Sequence, residues 1–430
     1  MSVIVNESNI SKQLSEFWDL ENLGIEAEVS YEENIDNDII SEFEAEISYQ
    51  NKWYKVKFPW KPNMKTLLEN NEEIARKRFL KLRSRFKNDS SLFEDYKLVV
   101  NNYLSEKIRE RVPFEEENLK HNIFYLPHSN TSVIRTDKTT SKLRIVFDAS
   151  SHANAQLSLN DCLHTGLKFI PSLFFLLIKF RVNPIALVAD IKMAFLMIEI
   201  DETAIKHHLK KYVDIFPDTF NHLNQSLYVD DFLCGNVSVQ AALTTCIESK
   251  QILEDASMDL RKWRTNSSEL NQRLKNLNFE VDEHKESLNT LIASKVLGVS
   301  WNEKSDTFYF ESSDLGTFLS KRINRKRYLL QAAGRLFDPV GFIGPYTIRI
   351  KCLIQEIWCL GLDWDDKLPK QLEVSWNKWC NEIHYLSEIK IPRYYFQNFL
   401  PSNATTIQLH CFSDASKKAY GTGLFTHRIE

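Results

Sequence analysis

The sequence predicts an α+β fold in which strand-like and helix-like segments alternate through the middle of the chain, with helical patterns on either side. Three observations carry this. The run Ile185-Ala186-Leu187-Val188-Ala189-Asp190-Ile191-Lys192-Met193-Ala194-Phe195-Leu196, broken by one acid and one lysine, has the composition of a buried strand. Apolar residues on both sides of Asp230-Asp231, in the frame Ser226-Leu227-Tyr228-Val229-Asp230-Asp231-Phe232-Leu233-Cys234-Gly235, read as two short strands with the acids at the turn of a hairpin. Helix-period spacing recurs before and after, from Asn70 to Phe86 and in Ile350, Leu353, Ile354 and Ile357.

Taken in order, residues 1–110 form a mostly helical lead-in, in which Ser91 to Ile108 repeats the pattern of the Asn70 helix and Trp53 to Trp60 is a strand-like island. Residues 111–305 alternate strand and helix patterns. Residues 306–395 turn helical, and residues 396–430 end on the strand-like Leu409-His410-Cys411-Phe412-Ser413. There are no internal repeats.

At 430 residues and 43% hydrophobic content the chain can bury a large core and divide into two or three domains. The formal net charge of -4 argues mildly against a nucleic-acid partner, yet the charge is segregated. Acids crowd residues 19–46, while Arg76, Lys77, Arg78, Lys81, Arg83, Arg85 and Lys87 cluster in one helix-like stretch, and Lys321, Arg322, Arg325, Lys326 and Arg327 form a second run. Either run is a solvated helix face or a phosphate-contact surface. The seven cysteines lack a Cys-x-x-Cys pair and read as reduced thiols. Met1-Ser2-Val3-Ile4-Val5 has no signal-peptide pattern, and the apolar run around Ile170 to Ile178 is too short to span a bilayer. The expectation is a soluble, cytoplasmic protein without a membrane partner.

Adjacent carboxylates in an apolar frame repel each other and lose solvation, so they need a cation or a proton. A divalent metal is the natural partner for Asp230 and Asp231. Asp190, at the end of the buried strand, adds a third acid. One aspartate from a central strand and two from a neighbouring hairpin form the ligand set of a two-magnesium site for phosphoryl transfer. The plainer alternative is three solvated turn acids.

At these residues the chain resembles the reverse transcriptase of BEL/Pao-type long-terminal-repeat retrotransposons. The similarity continues along almost the whole sequence. Phe17-Trp18-Asp19-Leu20-Glu21, Tyr125-Leu126-Pro127-His128, Leu143-Arg144-Ile145-Val146-Phe147-Asp148-Ala149-Ser150 and Ser158-Leu159-Asn160-Asp161 precede the acids. Leu260-Arg261-Lys262-Trp263, Val296-Leu297-Gly298-Val299-Ser300-Trp301, Phe337-Asp338-Pro339-Val340-Gly341 and Trp364-Asp365-Asp366 follow in the family's order. The resemblance implies a right-hand polymerase, with reverse-transcriptase-like fingers and palm over 111–305, a thumb/connection over 306–395 and a truncated ribonuclease H start over 396–430. It implies catalytic, metal-holding Asp190, Asp230 and Asp231 in the Tyr228-Val229 hairpin motif, and two Mg2+ ions. Arg144, Lys138 and Lys142 would meet the triphosphate, with a planar guanidinium suited to bidentate phosphate contact. Phe195 would be the gate selecting deoxynucleotides, Lys262 the proton donor to pyrophosphate, and Leu297-Gly298 the primer grip. The implied partners are an RNA template, a DNA primer and deoxynucleotide triphosphates.

Two departures matter. Only 39 residues separate Asp190 from Asp230, where the family places a helix, a further palm strand and a template-gripping motif. Thr203 to Tyr212 resembles the helix just before the hairpin, so the loss sits near Ile200 to Thr203, and a connection of this length still spans the gap at about 3.3 Å per extended residue. Asp414 matches the first metal-binding acid of ribonuclease H, but the sequence stops at Glu430 without the remaining carboxylates, so Asp414 is expected to be idle. Two functions stay open: an RNA-directed DNA polymerase, or a catalytically impaired mobile-element relic that binds nucleic acid. His207-His208 reads as an ordinary surface pair, since consecutive helix residues point apart. The region after the hairpin carries the label of a retrotransposon peptidase in this family; no Asp-Thr-Gly or Asp-Ser-Gly loop occurs, and proteolysis is rejected.

Overall fold

The computed structural model describes residues 41, 43–50, 53–106, 108–111, 123–128, 133–134, 143–164, 171–192, 202–282, 295–396 and 406–429. The chain divides into two compact units, one of residues 1–50 and 54–168, the other of 51–53 and 169–430.

In the first unit, α1 (Glu72–Asn88) and α2 (Ser90–Ser105) sit where helical spacing placed them. They are separate helices because Asp89 leaves helical geometry and its carboxylate caps α2 through the Leu92 amide at 2.9 Å. Asn71, buried just before α1, ties down chain from two distant segments: its amide donates to the Tyr125 and Ser151 carbonyls and accepts the Tyr125 N–H. Arg78 of α1 pairs with Asp148, so this member of the basic run has a structural task. Hydrogen bonds from Ser150 and from Arg78 hold the Asp148 carboxyl below the usual carboxylate range. Ser158 and Asp161 form a capping box on the short helix Leu159–Cys162, which gives the Ser158-Leu159-Asn160-Asp161 motif a local physical role. Strands β1 (Val133–Ile134) and β2 (Leu143–Arg144) pair antiparallel.

The second unit is built around a four-stranded antiparallel sheet, β3 (Ile185–Ile191), β4 (Leu227–Tyr228), β5 (Asp231–Asn236) and β6 (Leu260–Thr265), in the spatial order β4-β5-β3-β6. Its helices are α3 (Leu173–Phe180), α4 (Glu202–Leu209), α5 (Pro217–Ser226), α6 (Val239–Glu254) and α7 (Ser268–Asn276). Strand β3 lies between β5 and β6 and is covered on both faces, which is why its sequence runs apolar without alternation. Ala186 and Val188 join Leu177 and Phe180 of α3 and Leu233 of β5 in one core.

That core is shared with a second antiparallel sheet, β7 (Lys295–Val296), β8 (Val299–Asn302), β9 (Thr307–Tyr309) and β10 (Lys390–Pro392), through Val296, Val299, Trp301 and Phe308. Between β9 and β10 run α8 (Ser313–Leu319), α9 (Lys326–Ala333), α10 (Gly344–Cys359) and α11 (Lys370–Asn381). The segment expected to turn helical is therefore bracketed by two strands that pair with each other and close it back onto the sheet. Ile350, Leu353, Ile354 and Ile357 are buried, as their stripe predicted. Tyr346 stacks on Trp379 at 4.7 Å between ring centroids, and each donates its polar hydrogen to the other's backbone carbonyl at 3.1 Å.

Arg393 is the main polar tie within this unit. Its side chain is fully buried, and it donates to both Asp306 oxygens at 2.6 and 2.8 Å and to the carbonyls of Phe180, Asn183 and Pro184. Asp306 also accepts from the Trp301 indole and the Asn266 amide, each at 3.0 Å. One guanidinium thus joins the α3–β3 loop to the β8–β9 turn.

The second basic run divides by role. Lys326 is buried, bonds the Leu362 carbonyl at 2.8 Å and lies over the rings of Trp358 and Trp364. Arg327 grips Asp365 bidentately at 2.9 and 3.0 Å. These two hold the Trp364-Asp365-Asp366 motif against α9; burial removes Lys326 from a solvated face, whereas the Arg327 pair remains at the surface.

The chain ends in a long hairpin, β11 (Thr406–Ala415) and β12 (Tyr420–Ile429), with ten cross-strand pairs. Among the described residues no helix is long and apolar enough to cross a membrane.

Candidate active site

The acid site forms where β3, β5 and β6 end together. Tyr228 pairs with Asp231, leaving Val229 and Asp230 as a two-residue turn, so Asp231 opens a strand and only Asp230 lies in the turn proper. Val229 has φ 57. A β-branched residue is rarely held in this left-handed region, so the turn stores strain at the acidic pair.

Asp190 is the cross-strand partner of Asp231. The next pair outward is hydrogen-bonded, the Ile191 amide donating to the Asp230 carbonyl at 2.8 Å. Antiparallel ladders alternate, so Asp190 and Asp231 form a non-hydrogen-bonded pair, with Cα atoms about 4.5 Å apart and side chains on one face. By the same alternation they continue the face of Val188 and Leu233, at the edge where that core stops. All three aspartates are half-buried.

A cation is already present. Lys262 Nζ donates to Asp190 Oδ2 at 3.0 Å. The neighbouring residue Arg261 is the cross-strand partner of Asp190, and the Lys192 amide donates to the Asp259 carbonyl at 2.8 Å. Sequence reasoning named Arg261 only as part of the Leu260-Arg261-Lys262-Trp263 motif and did not single out Asp259. Their signal was a cluster of charge, Asp259-Leu260-Arg261-Lys262, at the start of a strand that the core residue Trp263 anchors.

Paired carboxylates are hard oxygen donors of the kind magnesium uses, with one or two carboxylates from protein and the remaining positions from water and substrate phosphates. Asp190 and Asp231 fit that donor set. Among the described residues, however, no group of three His, Cys, Asp or Glu side chains is gathered closely enough to hold a metal ion.

The other predicted site residues are placed as follows. Arg144 lies in β2 of the first unit, paired across the strands with Val133. Lys138, Lys142 and Phe195 fall outside the described residues. Leu297 and Gly298 form the two-residue turn between β7 and β8, with φ 49 and 87. Two left-handed residues in succession match the twist of a tight hairpin. Gly298 is required twice over, because a Cβ there would also meet the Phe337 ring at 2.7 Å. Asp414 sits exposed in β11, opposite Gly421. His208 departs from expectation: it is buried, 1% exposed, with Nε2 at 2.6 Å from the Ile252 carbonyl of α6.

Residues 325–430 match the model of the Pao retrotransposon-like RNaseH-like domain. The retrotransposon resemblance is borne out. The chain is of α+β class, and its last quarter is similar to that retrotransposon-derived domain family. The family's description names an RNaseH-like domain, not a peptidase. No curated protein matches the sequence. Solved structures align with it, two foamy viral proteins among them. The foamy viral protease-reverse transcriptase dRH in complex with double-stranded DNA gives a TM-score of 0.45 at 11% identity, covering 77% of this chain and 53% of its own. The foamy viral protease-reverse transcriptase in complex with double-stranded DNA gives 0.44 at 11% identity, covering 99% and 79%. The chain thus spans about half the length of the first of these proteins.

Proposed function

We propose that this chain is the RNA-directed DNA polymerase region of a retrotransposon polyprotein, with nucleotidyl transfer strongly impaired by the short connection between Asp190 and Tyr228. The observation that supports the reading is the direct pairing of Asp190 with Asp231 beside a strained acidic turn. Asp190 and Asp231, with Asp230 in the adjoining turn, are the acids that would hold Mg2+, which, when bound, would supply charge stabilisation to a transferring phosphoryl group. The residues of the chain do the rest. The β3–β5 ladder fixes Asp190 and Asp231 relative to each other, Phe195 would exclude a ribose hydroxyl, and the tight Leu297-Gly298 turn would steady the primer strand; the resemblance assigns Arg144, Lys138 and Lys142 to the triphosphate. An RNA template, a DNA primer and deoxynucleotide triphosphates are the partners, in an intracellular setting.

In-line attack needs reacting groups placed to within about 1 Å, and misplacement on that scale costs on the order of a hundredfold in rate. Without the motif beneath the templating base the cost is larger still. Primer extension on an RNA template with Mg2+ tests the reading, and extension barely above background is expected. Robust extension abolished by Asp230→Asn would overturn the impairment and leave an active polymerase. The second reading, a relic limited to nucleic-acid binding, is favoured by the same short connection; it predicts primer-template binding that Asp190→Asn and Asp230→Asn leave unchanged.

A further inference from the structure

Strand β6 does not run evenly beside β3. Val188 pairs with Arg264 and Asp190 with Arg261, so two steps along β3 are matched by three along β6, and β6 carries one extra residue at this point. Lys262 lies in that bulge with φ 53, a left-handed backbone that a lysine adopts only under constraint. The constraint is visible on its C-terminal side. Trp263 is completely buried, its indole donates to the Leu260 carbonyl at 3.1 Å, and its backbone exchanges hydrogen bonds with Glu280 and Asp282 at 2.8 and 3.1 Å. Bulges re-aim side chains. This one delivers the Lys262 ammonium to Asp190 Oδ2 at 3.0 Å, with the lysine and aspartate side chains 26% and 27% exposed.

We propose that Lys262 is the resident counter-cation of the acid site. It satisfies Asp190 in the absence of a divalent ion and must give up that oxygen before a metal takes it, so metal entry and release of the lysine head are one event. This rests on the reading of Asp190 and Asp231 as a cation site. It assigns the strained bulge a purpose: to hold a fixed positive charge against the carboxylate of Asp190.

The test is Mn2+ binding to the full chain by electron paramagnetic resonance, without nucleic acid or nucleotide, at constant ionic strength. The proteins are the wild type, Lys262→Met, Lys262→Gly and Asp190→Asn. Glycine accepts the left-handed backbone without strain, so Lys262→Gly keeps the fold even where Lys262→Met disturbs it. Both lysine variants should bind Mn2+ about fivefold or more tightly than wild type, the size of a partly exposed ion pair, and Asp190→Asn should lose the site. If both lysine variants bind no more tightly than wild type while Asp190→Asn still weakens binding, the counter-cation proposal is overturned and the acid site survives. If Asp190→Asn binds Mn2+ as wild type does, the acid-site reading fails, and the proposal with it.

Discussion

At the scale of single residues, Arg393 and Gly298 are the positions whose chemistry leaves least latitude. Arg393 spends its guanidinium donors on the Asp306 carboxylate and three loop carbonyls with no exposure to water. Removing one partner of a buried charge pair strands the other, which costs about 3–5 kcal/mol. Arg393→Ala is therefore expected to lower the urea midpoint by that equivalent, and Arg393→Lys to recover only part, since an ammonium cannot reproduce the planar fork. Equal stability of Arg393→Ala and wild type would show the network to be dispensable. Gly298→Ala meets two penalties, a left-handed backbone and a methyl group against the Phe337 ring. A loss of about 2–4 kcal/mol is expected, and adding Phe337→Ala should relieve the contact part alone. Sequence patterning showed neither role, because Arg393 stands in an ordinary polar-aromatic stretch and its partners come from distant segments.

At the scale of elements, α4 is held to α6 by His208, whose ring nitrogen meets the Ile252 carbonyl in a dry contact. Burial lowers the His208 pKa. The unfolded chain then takes up a proton that the folded chain refuses once pH falls below the ordinary histidine value of about 6.5. This contribution to stability is complete above that value and is lost as pH falls beneath it. Urea midpoints should fall between about pH 7.5 and 5.5, and His208→Gln should flatten the dependence. An unchanged slope in His208→Gln would place the pH sensitivity elsewhere. Helix spacing alone makes His207-His208 a surface pair, since two adjacent helix residues point apart; a helix packed against a neighbour nonetheless buries one of the two.

At the scale of the whole molecule, the question is how much positive charge remains for a nucleic-acid backbone. Arg78, Lys326 and Arg327 are committed to internal partners. Arg76, Arg83 and Lys87 are exposed, and their spacing of seven and four residues places them along one side of α1. Primer-template affinity, if carried by such residues, falls with log salt at about 0.9 per neutralised phosphate. Replacing these three by Gln should reduce the measured slope by about 2–3, read by fluorescence anisotropy across a salt series. A slope unchanged in the triple variant would remove α1 from the interface.

The sequence by itself determined the α+β class, the β3 strand, the acidic hairpin and the α10 core stripe, because each rests on a local pattern: apolar runs, turn residues and helical spacing. It also located the retrotransposon resemblance, which the match over residues 325–430 supports at the C-terminal end. Only the tertiary structure decided which aspartate faces which, since a register is a relation between two strands and a shift of one residue would turn Asp231 to the opposite face. The placement of Lys262 on Asp190 likewise required a bulge, an extra residue that shows only when β6 is laid against β3. The Arg393 network joins residues more than two hundred positions apart to a single guanidinium, a contact that no local pattern encodes because it is selected by the burial of the folded core.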